Sequence, residues 1–208
     1  MFAPGAGRPL LVGAVLLILG GLAEALRALP FSVPLLLLLI LGAGCWGFFA
    51  GFFRDPERPT GPGIVSPADG HVRAVTVEGE RTRISVFMNV TDVHVNRTPL
   101  DGTFRRIVSG GAGYRPAYRT DADRNVARTY SLETAIGPVE IVQITGIVAR
   151  RLVSFVTTGT SRRRGERFGM IVLGSRVDVL LPTARVVPTV HVGDRVWAGR
   201  STVAEVRP

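Results

Sequence analysis

The sequence contains no lysine; all 25 of its basic residues are arginine. That absence excludes a lysine Schiff base, a P-loop lysine and a biotinyl or lipoyl attachment site. There is one cysteine, Cys45, so neither an internal disulfide nor a cysteine metal cluster is expected. Three histidines, His71, His94 and His191, are too few for a histidine-rich metal site, and no metal is expected. Aromatic residues are sparse, at 7%, and are not interleaved with the arginines as in single-strand binders. Nucleic acid is therefore not expected as a partner. The formal net charge of +9 points instead to an anionic membrane surface.

What is present is apolar. Of 208 residues, 46% are hydrophobic, and the mean hydropathy is +0.29. No charged residue occurs from Ala28 to Phe53. About 20 apolar residues suffice to cross a bilayer core, so this stretch is long enough. Trp46 and Phe48, Phe49, Phe52 and Phe53 collect at one end of it, where an aromatic belt would lie. Arg54 and Arg58 follow at once, which by the positive-inside rule places the rest of the chain on the cytoplasmic side of the cell membrane. An earlier apolar run, Leu10 to Ala23, is the expected first arm of a helical hairpin, with Glu24 to Arg27 at its turn. Two other readings stay open. The first run is also compatible with a signal peptide, since Ala23-Glu24-Ala25 resembles a cleavage site. Both arms are also compatible with lying in one leaflet without crossing.

The expected domains are thus a membrane-anchoring segment, residues 1–53, and a compact domain, residues 54–208. The second is strand-rich. Val72 to Val77, Thr82 to Asn89, Gly102 to Val108, Ala127 to Leu132, Val139 to Ile144, Met170 to Leu173 and Val177 to Leu181 are short β-branched or alternating runs, punctuated by Gly, Pro and Asp. Val148 to Phe155 is compatible with a helical turn. The expected fold is mainly β, a compact antiparallel domain. Residues 63–75 and 190–206 each place a glycine turn between valine-rich strands, and the second is similar to the hairpin of barrel-sandwich carrier domains. Without a lysine at the hairpin tip, that likeness speaks to fold and not to carrier function.

Four motifs carry chemistry. FFRDPERP at 52–59 joins the apolar span to the domain, and SPADG at 66–70 sets Asp69 on a tight turn. NVTDVHVNRTPLDG at 89–102 carries His94. In GERFGMIVLGSRVDVLLP at 165–182 an apolar strand is interrupted by Gly174-Ser175. Taken singly, each has an ordinary explanation: a strand bulge, turn chemistry before a glycine, a half-buried strand histidine. In their joint order and spacing they resemble the short, single-domain branch of the phosphatidylserine decarboxylase family, from about Phe52 to Pro182.

The resemblance implies a self-processing enzyme. Ser175 would attack the Gly174 carbonyl, cleave the chain there, and become a pyruvoyl group, the covalent cofactor. The products would be a β chain, residues 1–174, and an α chain, residues 175–208, which stay associated. The pyruvoyl ketone would form a Schiff base with phosphatidylserine, and carbon dioxide would leave to give the ethanolamine phospholipid. His94 matches the first histidine of the family's D-x-H-x-x-H pattern and is the implied proton donor. Asp69 matches the family's acidic member. Arg97 stands where longer members carry a second histidine, the base of self-cleavage there. An arginine is no base at ordinary pH, so His94 or Asp69, directly or through water, is left for that step. Arg97 is instead expected to meet the lipid's phosphate or carboxylate. His71 and His191 are expected at the surface or in turns. The arginines at 150, 151, 162, 163, 164 and 167 form either a solvated face or one turned to anionic headgroups.

Two alternatives remain at this point. A non-enzymatic, membrane-anchored barrel-sandwich adaptor would explain the anchor, the strands and the VGDRVWAG hairpin, but not Gly174-Ser175. A pyruvoyl enzyme acting on a soluble amino acid would leave the apolar N-terminus without a purpose.

Overall fold

The computed structural model describes residues 7–25, 32–113, 125–146, 151–172 and 175–208. The chain divides into two compact units, Met1–Pro56 and Glu57–Pro208, where the sequence suggested a division after residue 53.

The first unit holds two apolar helices, α1 (Gly7–Ala25) and α2 (Ser32–Phe52). Pro9 and Pro34 each sit in the first turn of their helix, where a missing N–H breaks no intrahelical bond. The two helices pack antiparallel, with glycines at the contact. A Cβ on Gly13 would stand 2.9 Å from Trp46 Cβ, and one on Gly20 would collide with Leu39 Cδ2. Small residues at such positions let helix backbones approach closely. Within α2, Leu35–Phe52 is long and apolar enough to span a membrane, whereas the apolar part of α1 is shorter. Of the expected hairpin turn Glu24 to Arg27, Glu24 and Ala25 are the last residues of α1, and residues 26 and 27 lie outside the described residues.

The second unit is mainly antiparallel β. Its fourteen described strands are β1 (Ile64–Val65), β2 (Gly70–Glu78), β3 (Arg81–Met88), β4 (Val95–Arg97), β5 (Gly102–Gly110), β6 (Ala127–Thr134), β7 (Gly137–Thr145), β8 (Arg151–Ser154), β9 (Ser161–Arg162), β10 (Arg167–Val172), β11 (Ser175–Pro182), β12 (Val186–Pro188), β13 (Arg195–Val196) and β14 (Thr202–Val206). They form an eight-stranded sheet, β13-β2-β3-β11-β7-β6-β5-β9, and two three-stranded sheets, β4-β10-β8 and β1-β14-β12. The mainly antiparallel β domain expected from the sequence is what the described strands form, and their sheets do not close into a barrel.

One correction concerns Val148 to Phe155. Residues 147–150 lie outside the described residues, and Arg151–Ser154 is a strand, not a helical turn. Leu152 and Val153 pair with Ile171 and Met170 on the edge of β10, and that ladder decides the conformation of so short a segment.

The core follows from strand alternation. In β11, Val177, Val179 and Leu181 point into the core with Ile84, Val86, Val139 and Ile141 of the neighbouring strands. Phe104, Tyr130 and Phe168 fill one part of it, with ring centroids 5.0–5.9 Å apart. Each such large side chain contributes about 1.5–3 kcal/mol on burial.

Candidate active site

β11 is paired on both sides along most of its length. Its first residue, Ser175, stands opposite Met88 of β3 and Thr145 of β7. Ser175 is fully buried, and its hydroxyl donates to Met88 Sδ at 3.2 Å. A thioether is a weak acceptor, so this contact positions Oγ without holding its proton firmly. Gly174, its expected partner in cleavage, lies outside the described residues.

Met88 Sδ has a second polar neighbour, the Asn96 side-chain amide at 3.8 Å. Asn96 is fixed in turn. Gln143 Nε2 donates to Asn96 Oδ1 at 2.7 Å, and the Tyr130 hydroxyl donates to Gln143 Oε1 at 3.0 Å. Tyr130, Gln143, Asn96, Met88 and Ser175 are all fully buried, and together they form a continuous polar thread from the aromatic core to the head of β11. Burial pushes the Tyr130 hydroxyl above its ordinary range, while Ser154 and Arg128 pull it the other way. Gly169 leaves room for this thread, since a Cβ there would meet Gln143 Nε2 at 2.9 Å.

His94 comes just before β4 and is fully buried. Its carbonyl accepts the Ile171 N–H at 3.2 Å, which ties it to β10. Its Nδ1 lies 2.9 Å from the Asp92 carbonyl oxygen. A carbonyl only accepts, so Nδ1 carries the hydrogen, and in the neutral ring Nε2 holds the lone pair. The Asp92 side chain fixes the preceding turn: Oδ2 accepts the Asn89 N–H at 2.8 Å, and Oδ1 accepts from Arg195 Nη2 at 3.2 Å. The tautomer of His94 is therefore set by a rigid neighbour.

Asp69 is buried and held in a fork. Arg58 Nη1 and Nη2 donate to its Oδ1 and Oδ2 at 2.5 and 2.8 Å, and the Ala198 N–H donates to Oδ1 at 2.8 Å. Next to it, Gly70 adopts φ 140, and a Cβ there would collide with the Phe87 carbonyl. The SPADG turn thus abuts β3 one residue from Met88, the strand partner of Ser175. Arg97 is buried as well, donating from Nη1 to the Gly165 carbonyl at 3.0 Å. Its methylene stem lies where a Cβ on Gly199 would have to be. His71 is half-buried on β2, opposite Arg195, and His191 is exposed.

The structure thus ties Ser175 to Met88 and Asn96, and sets His94 two residues from Asn96 along the same segment. It binds Asp69 into an arginine fork, and Arg97 to the loop before β10. Sequence reasoning missed Met88, Asn96, Gln143, Tyr130 and Asp92, and it missed Arg58 as the partner of Asp69. Asn96 and Asp92 lie inside the quoted DVHVNR motif and Arg58 inside FFRDPERP, so those signals were at hand. Gln143 and Tyr130 sit in ordinary strand patterns and carry no sequence signal. Among the described residues, no group of His, Cys, Asp and Glu could hold a metal ion. Three surface hollows, including one lined by Asp101, Ser161 and Arg163, contain none of Ser175, His94 or Asp69.

Comparison with known proteins bears on this arrangement. A family model described as phosphatidylserine decarboxylase matches residues 46–204. A phosphatidylserine decarboxylase proenzyme of Nitratidesulfovibrio vulgaris is 46% identical over 186 residues, covering 79% of this chain and 85% of the relative. One from Streptomyces coelicolor is 43% identical over 150 residues, 71% of this chain and 68% of the relative. A protein of Methanococcoides burtonii, provisionally named an archaetidylserine decarboxylase proenzyme, is 42% identical over 161 residues, 76% of this chain and 75% of the relative.

Proposed function

We infer, from the premise that this chain belongs to the phosphatidylserine decarboxylase family, what its residues do in that reaction. The chain is an enzyme that decarboxylates phosphatidylserine to phosphatidylethanolamine and carbon dioxide. It is made as a proenzyme. The adaptor reading has no support from any of these relatives.

The finer chemistry is our proposal. Ser175 Oγ adds to the Gly174 carbonyl carbon and gives up its proton, and the Ser175 nitrogen leaves, so the amide becomes an ester. Loss of the Ser175 Cα proton then breaks the Cβ–O bond and releases Gly174 as a carboxylate. Water enters and ammonia departs from residue 175, leaving a pyruvoyl group at the new terminus. Four facts support Ser175 as that residue. It is fully buried at the head of a strand paired on both sides, so a terminus made there would be held in place. Among the described residues its hydroxyl meets a weak acceptor, Met88 Sδ. The chain has no lysine amine to condense with a ketone. The family match covers it. Such a group supplies an electron sink for the pair left behind as carbon dioxide departs.

The remaining work falls to named side chains. His94 Nε2, with Nδ1 pinned on the Asp92 carbonyl, is the atom that can take and return a proton. It is proposed as the base for Ser175 and as the donor to the carbon that carbon dioxide leaves. Asp69 has both oxygens engaged, by Arg58 and by the Ala198 N–H. It is proposed to hold the SPADG turn against β3. Arg97 is proposed to meet the headgroup's phosphate or carboxylate, as a guanidinium fork can. For placement, α2 is proposed to enter the cell membrane, with Arg54 and Arg58 marking the cytoplasmic side.

The observation that carries this reading is the buried Ser175 at the start of β11, inside the family match. Intact mass spectrometry of the purified protein tests it. The expected result is a fragment 175–208 whose terminus lacks a free amine, and Ser175→Ala is expected to give one uncut chain near 22.3 kDa without lipid decarboxylation. A Ser175→Ala chain that still turns over the lipid refutes the proposal.

A further inference from the structure

The second unit carries an apolar and cationic rim outside its core, of which Arg195 also reaches the turn before His94 through Asp92. It is built on the β13 edge of the eight-stranded sheet and on the turn that precedes His94. Arg195 and Trp197 are two residues apart on an extended segment, so both point outward while Val196 between them is buried. The Arg195 guanidinium lies 5.8 Å from the Trp197 ring centroid, close enough for a cation–π contact. The indole is 41% exposed, and Val192, in the turn leading into β13, is 65% exposed. The Gly193 N–H donates to the Val72 carbonyl at 2.8 Å, which fastens that turn beside exposed Arg73. On the other flank, Arg195 reaches Asp92, and two residues before Asp92 stands Val90, 45% exposed.

Tryptophan beside arginine, with exposed valines around them, is the chemistry of a surface resting at the headgroup boundary of a bilayer. The indole has an apolar body and one polar N–H, and an exposed arginine is drawn to anionic lipid. Among the described residues of β13 and its adjoining turns, the exposed charged side chains are Arg73, Arg195 and Arg200 against Asp194, while Asp92 is buried under Arg195. The rim is therefore net cationic, the complement of an anionic leaflet. It also adjoins the turn that fixes His94, so a lipid substrate lying in that leaflet would be presented beside the proposed proton donor.

We propose that the rim formed by Val90, Val192, Arg195 and Trp197 docks the second unit on an anionic phospholipid surface. The inference deepens the lipid-decarboxylase reading and rests on it only for its biological purpose. Lipid contact by Trp197 can be read without turnover.

The test uses the full chain with Trp46→Phe, so that Trp197 is its one tryptophan, in phosphatidylcholine–phosphatidylglycerol nanodiscs. Phosphatidylglycerol is anionic but has no serine carboxylate to lose. Trp197 emission is expected to shift to the blue relative to detergent solution, to be at least halved by acyl chains brominated near the headgroup, and to be shielded from iodide. Should Trp46→Phe disturb the helix pair, wild type minus Trp197→Phe gives the same signal. Charge reversal at Arg73 and Arg200 is expected to restore access to iodide. Emission that ignores the brominated chains overturns the proposal. So does shielding from iodide without bromine quenching, which would mean that protein covers the rim. Quenching that persists unchanged in pure phosphatidylcholine overturns its anionic selectivity. If quenching is seen while purified wild type is uncut and inactive, the docking stands and the decarboxylase reading fails.

Discussion

At the scale of single residues, the site depends on how a few side chains are held. The Asp92 carbonyl takes the His94 Nδ1 hydrogen, so in the neutral ring the lone pair sits on Nε2, the atom proposed to move protons. His94→Gln is expected to lower decarboxylation by about 10²–10⁴-fold, the usual worth of a positioned acid–base group. If His94 is also the base for Ser175, the variant remains a single chain by intact mass; a cut but inactive His94→Gln would move the processing base elsewhere. Tyr130 allows a test of pH dependence. Burial holds its hydroxyl above the ordinary 10.0, so the unfolded chain releases this proton before the folded one does. Above pH 10 the native state then binds more protons than the unfolded state, and stability falls as pH rises towards the folded value. Tyr130→Phe should flatten that alkaline decline in urea midpoints. At neutral pH it should cost about 1–3 kcal/mol, because Gln143 Oε1 would be left buried without its donor.

At the scale of elements, β11 joins the chemistry to the fold. One face of it is apolar core, and the other carries Arg176 and Asp178, both buried. Asp178 is flanked by Arg83 Nη1 at 2.7 Å and Arg176 Nε at 2.9 Å, and Arg83 also grips Glu78, which holds that exposed carboxylate below its ordinary range. Asp178→Ala would leave two guanidinium groups side by side in a largely buried setting. It is expected to destabilise the domain by about 3–5 kcal/mol, measurable by denaturant unfolding. The β nature of this segment was legible from its alternating valines. Its place between β3 and β7 was not, because period-two alternation assigns faces and not neighbours. Arg151–Ser154 shows the same limit: no local pattern announced a strand, and the open edge of β10 made it one.

At the scale of the whole molecule, the proposed cut falls between two parts of one cooperative sheet. Ser175–Pro182 pairs with β3 on one side and β7 on the other, and β13 and β14, also beyond the cut, pair with β2 and β1. The fragments 1–174 and 175–208 should therefore co-elute on size exclusion in mild detergent and separate only in denaturant. Separation under native conditions would contradict the shared core.

The sequence by itself determined the chemistry available to this protein. Without lysine, with one cysteine and three histidines, it excluded most cofactor attachments, and four motifs in order identified the family. It also determined an apolar helical start followed by a strand-rich domain, because hydrophobic runs and period-two alternation are local properties. Only the tertiary structure decided that Asp69 is clasped by Arg58, that Asn96 is steered by Gln143 and Tyr130, and that Met88 receives the Ser175 hydroxyl. Those contacts join residues far apart in the chain, and strand register rather than residue type sets which of them meet.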